Sequence, residues 1–175
     1  MCIAMAVLLP SCGSAGTPED NWLVALSLTT SPHIGAVPGE GYGFAFGVRE
    51  GGSERYSEGG GDLIAPPDPI VGINAYFHYP ANPPYEQNLI TSVVGPGPTI
   101  TWLLIVKRAG GGGAAVVTLT WDDGDVGKVP DGYAVLELRD TEGSVLADMK
   151  GEASYAFTLQ SAEAKRFHVV AERTP

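Results

Sequence analysis

Apolar residues recur at every second position along much of this chain, the spacing by which a strand buries one face. Between Thr99 and Lys107, the side chains of Ile100, Trp102, Leu104 and Val106 share one face, and those of Thr101, Leu103 and Ile105 take the other. Ala115, Val117, Leu119 and Trp121 alternate in the same way with Val116, Thr118 and Thr120. Glycines 110 to 113 separate these two segments, which are therefore expected to form a hairpin with Trp102 and Trp121 in the core on neighbouring strands. Strand-like composition also marks Trp22–Thr30, Tyr42–Val48, Ile70–Tyr79, Asn88–Val94, Tyr133–Arg139, Val145–Met149, Tyr155–Leu159 and Arg166–Ala171. No segment has the spacing of a long amphipathic helix.

Turn signals recur about every ten residues, as in an antiparallel β-sandwich. Pro32, Gly35 and Pro38 stop the first segment, and Gly95-Pro96-Gly97-Pro98 stops the one before the clearest strand. The stretch Phe44–Pro69 divides the chain into two runs of strands. Its glycines permit tight turns, and Pro66, Pro67 and Pro69 offer no N–H to a sheet, so it reads as a connection over the surface and not as a site. The expected fold is all-β, an antiparallel β-sandwich.

Composition agrees. The chain has 175 residues, enough for one domain burying roughly 70% of the surface its unfolded form exposes. Gly 24 and Pro 14 are high for a helical protein, yet 44% of residues are hydrophobic, which favours a folded core over disorder. A formal charge of -10 opposes nucleic acid and anionic membrane surfaces, and no basic cluster offsets it.

The first residues, MCIAMAVLLPSCGSAGTPED, pass from an apolar run to small and polar residues, the order of a signal peptide. Leu9-Pro10-Ser11-Cys12 resembles a bacterial lipobox, which implies that Cys12 becomes a lipidated first residue and attaches the chain to a membrane; simple cleavage is the other reading. Pro10 and the lack of Lys or Arg before the run depart from that pattern. The expected division is 1–11 signal peptide, 12–21 tether and 22–175 a single β-sandwich domain. Cys2 and Cys12 are the two cysteines, so the expected mature domain has no internal disulfide.

Several short motifs bear on the family: Phe46-Gly47, Tyr56-Ser57-Glu58-Gly59, Gly61-Asp62, Leu119-Thr120-Trp121-Asp122, Pro130-Asp131-Gly132-Tyr133 and Tyr155-Ala156-Phe157. From about Phe44 to Ala171 the chain resembles immunoglobulin-like or fibronectin-III-like β-sandwich modules of secreted and surface proteins of bacteria. The resemblance implies an immunoglobulin-like fold and a structural or interaction role, with no catalytic residues to carry over.

Candidate chemistry is sparse. His33, His78 and His168 lie far apart in sequence, and no serine sits in a Gly-x-Ser-x-Gly elbow. Gly110–Gly113 is followed by a valine-rich strand instead of the helix that a dinucleotide fingerprint needs. Asp122, Asp123 and Asp125, with Asp131 nearby, could supply oxygen ligands to calcium, but the order of an EF-hand loop is missing and a solvated acidic turn is expected. No metal and no cofactor are therefore expected. The densest aromatic stretch is Tyr76-Phe77-His78-Tyr79-Pro80 with Pro83-Pro84-Tyr85. His78, Tyr79 and Tyr85 are the candidate ligand-binding residues, with rings that could stack on a sugar or anchor a partner. The leading expectation is a non-catalytic secreted or cell-surface protein that engages an extracellular protein or surface component. The alternative is a carbohydrate-binding module that uses those residues to hold a glycan.

Overall fold

The computed structural model describes residues 21–35, 44–52, 61–79 and 87–174. The expected leader 1–11, most of the tether, Cys12 and Tyr85 lie outside the described residues. Along the described chain run β1 (Trp22–Ser31), β2 (Phe44–Val48), β3 (Leu63–Ile64), β4 (Gly72–Tyr79), β5 (Gln87–Val94), β6 (Thr99–Ala109) and β7 (Ala115–Trp121). After these come a single helical turn, α1 (Asp123–Val126), then β8 (Tyr133–Arg139), β9 (Val145–Asp148), β10 (Ser154–Leu159) and β11 (Ala164–Arg173). The domain is all-β.

The strands join in one continuous order, β10-β7-β1-β2-β5-β4-β6-β11-β8-β9, with β3 paired to β5 beside this path. The end strands β9 and β10 also approach each other, so the sheet is nearly closed into a barrel. The indole of Trp121 ties this seam, its Nε1 donating to the carbonyls of Met149 and Glu152. Every ladder is antiparallel except that between β2 and β5, which run parallel, so the sheet is mixed. Gly47 of β2 is required by close approach: a Cβ there would stand 2.2 Å from the Trp22 carbonyl oxygen.

The period of two sets the core. Trp22, Val24, Leu26 and Leu28 of β1 are buried between exposed neighbours, and Ile100, Trp102, Leu104 and Val106 of β6 are buried with Val169 and Ala171 of β11. Aromatic rings meet across this interior. Phe46 lies 5.0 Å from Trp102, Trp22 lies 5.9 Å from Trp102, and Phe44 lies 5.4 Å from Phe77, centroid to centroid. Trp102 and Trp121 are both in this core, as expected.

The expected hairpin between their strands is corrected. β6 pairs with β11 on one side and, from Leu103 to Ala109, with β4 on the other, whereas β7 pairs with β1 and β10, so the two strands are not neighbours. The glycine loop, exposed at all four glycines, therefore carries the chain over the surface from one part of the wall to another. Gly110, Gly111 and Gly113 have φ of 62°, 75° and 70°, a region that side-chain-bearing residues seldom adopt. Arg108 stays on the inward face of β6, and its side chain is almost wholly buried. Its Nη1 donates to the carbonyls of Gly113 (2.7 Å) and Leu159 (3.1 Å), and Nη2 donates to that of Gly112 (3.1 Å). A loop without regular pairing thus has its carbonyls satisfied by a guanidinium.

The stretch expected to be only a connection also holds structure. β3 lies within it and pairs with β5.

Candidate functional site

Of the residues expected to bind a ligand, His78 has described surroundings. It lies one residue before the end of β4, in register with Leu103 of β6 and Asn88 of β5. Its Nδ1 is 3.3 Å from Asn88 Oδ1. With that oxygen as acceptor, the imidazole proton sits on Nδ1 and Nε2 is left as an acceptor. Tyr79, the last residue of β4, is paired with Gln87.

His168, remote in sequence, is also in register with Leu103, from the opposite side of β6. The two histidines are therefore separated by two strand spacings, about 10 Å of backbone. Both line a cavity of 260 Å³ with Ser92, Thr101, Phe77 and Trp102. Topology creates it. The described ladder between β4 and β6 ends at the pair His78 and Leu103, while β5 from Thr91 onward pairs with β2. Ser92 on β5 and Thr101 on β6 therefore flank a gap that no described strand fills. The sequence signal for His168 was its place in a strand, but the pairing that brings it to His78 leaves no trace in local pattern.

A second surface feature is the run from Leu63 to Val71. Every residue in it except Asp68 is apolar. Leu63, Ile64, Ile70 and Val71 are exposed, Ile64 at 57% and Ile70 at 93%. The run is nevertheless fixed to the sheet. Ala65 N donates to the Asn88 carbonyl at 2.8 Å, and the Asp68 carboxylate accepts from Asn74 Nδ2 and from Lys107 Nζ. These two donors, Lys107 first, hold the Asp68 carboxyl below its ordinary pKa. Sequence reading treated the prolines here as breakers and missed the exposed isoleucines; their signal was an apolar run without alternation.

The acidic turn is organised by internal contacts. Asp122 caps α1, its Oδ1 accepting from Asp125 N at 2.8 Å. Asp125 Oδ1 accepts from Lys128 Nζ at 2.7 Å, and its Oδ2 accepts from Ala25 N at 3.2 Å. Lys128, followed by the Ala25 amide, keeps the Asp125 carboxyl below its ordinary pKa against the opposing effect of burial. Among the described residues, no three His, Cys, Asp or Glu side chains come together as metal ligands.

No family model, no curated protein and no solved structure matches this chain.

Proposed function

We propose that the chain is an exported, non-catalytic β-sandwich domain of immunoglobulin-like or fibronectin-III-like kind that acts by attachment or protein interaction at the cell surface. In this reading β10-β7-β1-β2 form one layer and β4-β6-β11-β8-β9 the other, with β5 joining them. The ring contacts of Phe46 and Trp22 with Trp102, and of Phe157 with Phe167, support two facing layers because each joins a strand of one to a strand of the other.

The observation that carries the interaction role is the exposed apolar run from Leu63 to Val71. Large aliphatic side chains on a surface cost free energy in water, and a partner's apolar surface would remove that cost. Pro66, Pro67 and Pro69 restrict the backbone beforehand, so docking orders little that is not already ordered. The partner that fits is an extracellular protein or surface component with an apolar patch.

The test compares the purified full chain with an Ile64→Asp plus Ile70→Asp variant for binding to intact cells and envelope fractions of the source organism. The expected result is saturable binding by the parent that falls at least tenfold in the variant while the melting temperature is unchanged. Equal binding by both proteins would remove the run from the interaction, and no binding by the parent would refute attachment.

The second reading, a carbohydrate-binding module, is favoured by the cavity at His78, which places polar side chains beside aromatic rings.

A further inference from the structure

We propose that the cavity between β4, β5 and β6 binds one neutral, hydroxylated ring of pyranose size, entering past His78 and His168. This inference rests on the second reading above and gives it a place and a ligand chemistry. Size comes first. At 260 Å³ the cavity falls just below the range of about 300–1,000 Å³ typical of sites for drug-sized ligands, so it suits one ring and not a chain of them.

The lining selects the chemistry. His168, Ser92 and Thr101 each offer a donor and an acceptor and His78 offers Nε2 as an acceptor, while among the described residues no carboxylate, ammonium or guanidinium lines the cavity. A charged ligand would lose water there without gaining a counter-charge, and a purely apolar one would leave imidazoles and hydroxyls without partners. A ring with hydroxyl groups on its edge and an apolar face meets both demands, since Phe77 and Trp102 supply apolar surface.

One further observation points to a ligand. Trp102 is 3% exposed, and its Nε1 has no hydrogen-bond partner among the described residues. A buried indole N–H without an acceptor is costly, and Trp102 is among the residues that line the cavity. The backbone adds to this. From Thr99 to Trp102, β6 pairs with β11 on one side, and no described strand pairs with its other edge. That edge turns amide and carbonyl groups toward the same space.

The full chain is titrated separately with D-glucose, D-galactose, D-mannose and N-acetyl-D-glucosamine, with D-glucuronate as the charged comparison, by calorimetry and tryptophan emission. At least one neutral sugar is expected to bind saturably at millimolar Kd. Trp102→Phe, which keeps a ring and removes the N–H, should weaken binding roughly tenfold, the worth of one hydrogen bond. His168→Ala, on the cavity rim, should do likewise and serves if Trp102→Phe does not fold. Saturable binding with affinity unchanged in the folded variants would place the sugar elsewhere, overturning the cavity assignment while the carbohydrate reading stands. Equal affinity for D-glucuronate would overturn the neutral class, and no binding of any sugar would overturn both readings.

Discussion

The loop from β6 to β7 and the run from β3 to β4 are both irregular connections, yet they invert the usual placement of side chains. The first, built of glycines, draws the Arg108 guanidinium into the interior and bonds it to three carbonyl oxygens. The second, built of prolines, turns Ile64 and Ile70 out to solvent and fixes its backbone with Asp68. In the first, a buried charge substitutes for the missing backbone ladder, so the loop belongs to the stability of the domain. In the second, Ala65 packs against the core but the large side chains of Leu63, Ile64, Ile70 and Val71 are exposed, which leaves them available for contact with another molecule.

Substitutions separate the two. Trp102→Ala sets the scale of an interior loss and should cost about 3–5 kcal/mol in urea unfolding. Arg108→Ala should come close, about 3 kcal/mol, because it leaves the carbonyls of Gly112, Gly113 and Leu159 without their charged donor. A variant that melts like the parent would break the comparison by making the loop indifferent to its cation. Asp68→Asn should cost at most about 1 kcal/mol, since its pair with Lys107 is largely exposed. Ile70→Asp should stay within about 0.5 kcal/mol while changing attachment, and a large loss of stability would show that the run is part of the fold after all.

Acid sharpens the same contrast. The carboxyls of Asp68, Asp125 and Asp140 are held below their ordinary pKa by Lys107, by Lys128 and by the Ser144 amide respectively. Their folded values lie below the unfolded ones, so the unfolded chain binds more protons as pH falls. Their stabilisation is present above about pH 4 and is lost as pH falls through the folded values. Lys107, whose pKa is raised chiefly by Asp68, behaves in the opposite sense: its contribution is lost as pH rises through its folded value, above about pH 10. Melting temperatures measured from pH 7 downward should decline through the acid range, with a shallower decline in Asp68→Asn. An identical decline in that variant would remove the Asp68 pair from the account.

Strands were the part of the fold most open to reading from sequence, because burial of one face leaves a period of two in the residues themselves. Tyr133–Arg139 and Ala115–Trp121 have the bounds that alternation predicts. Pairing was not readable. Alternation states which side chains of β6 and β7 face inward, but four glycines permit a crossing as readily as a tight return. The clue lay one step beyond the predicted strand: Arg108 continues the inward series of Trp102, Leu104 and Val106, and an inward charge demands a partner. β3 is too short for a pattern, and α1 is a single turn specified by one capping contact from Asp122. At the cavity, His78 was readable as part of an aromatic stretch. His168 was not, since its neighbourhood is made by two long-range ladders meeting at Leu103.

The position of β11 has a consequence for the order of assembly. Residues 164–173 lie between β6 and β8, joining both by antiparallel ladders. A chain emerging from its N-terminus therefore presents every earlier strand before the one that links β6 to β8. Contacts between elements so far apart in sequence form slowly, typically over milliseconds to seconds, because loop closure precedes any gain from pairing. Until that strand arrives, two edges stay without their final partner, and the nascent chain remains open to threading, to chaperones and to its neighbours.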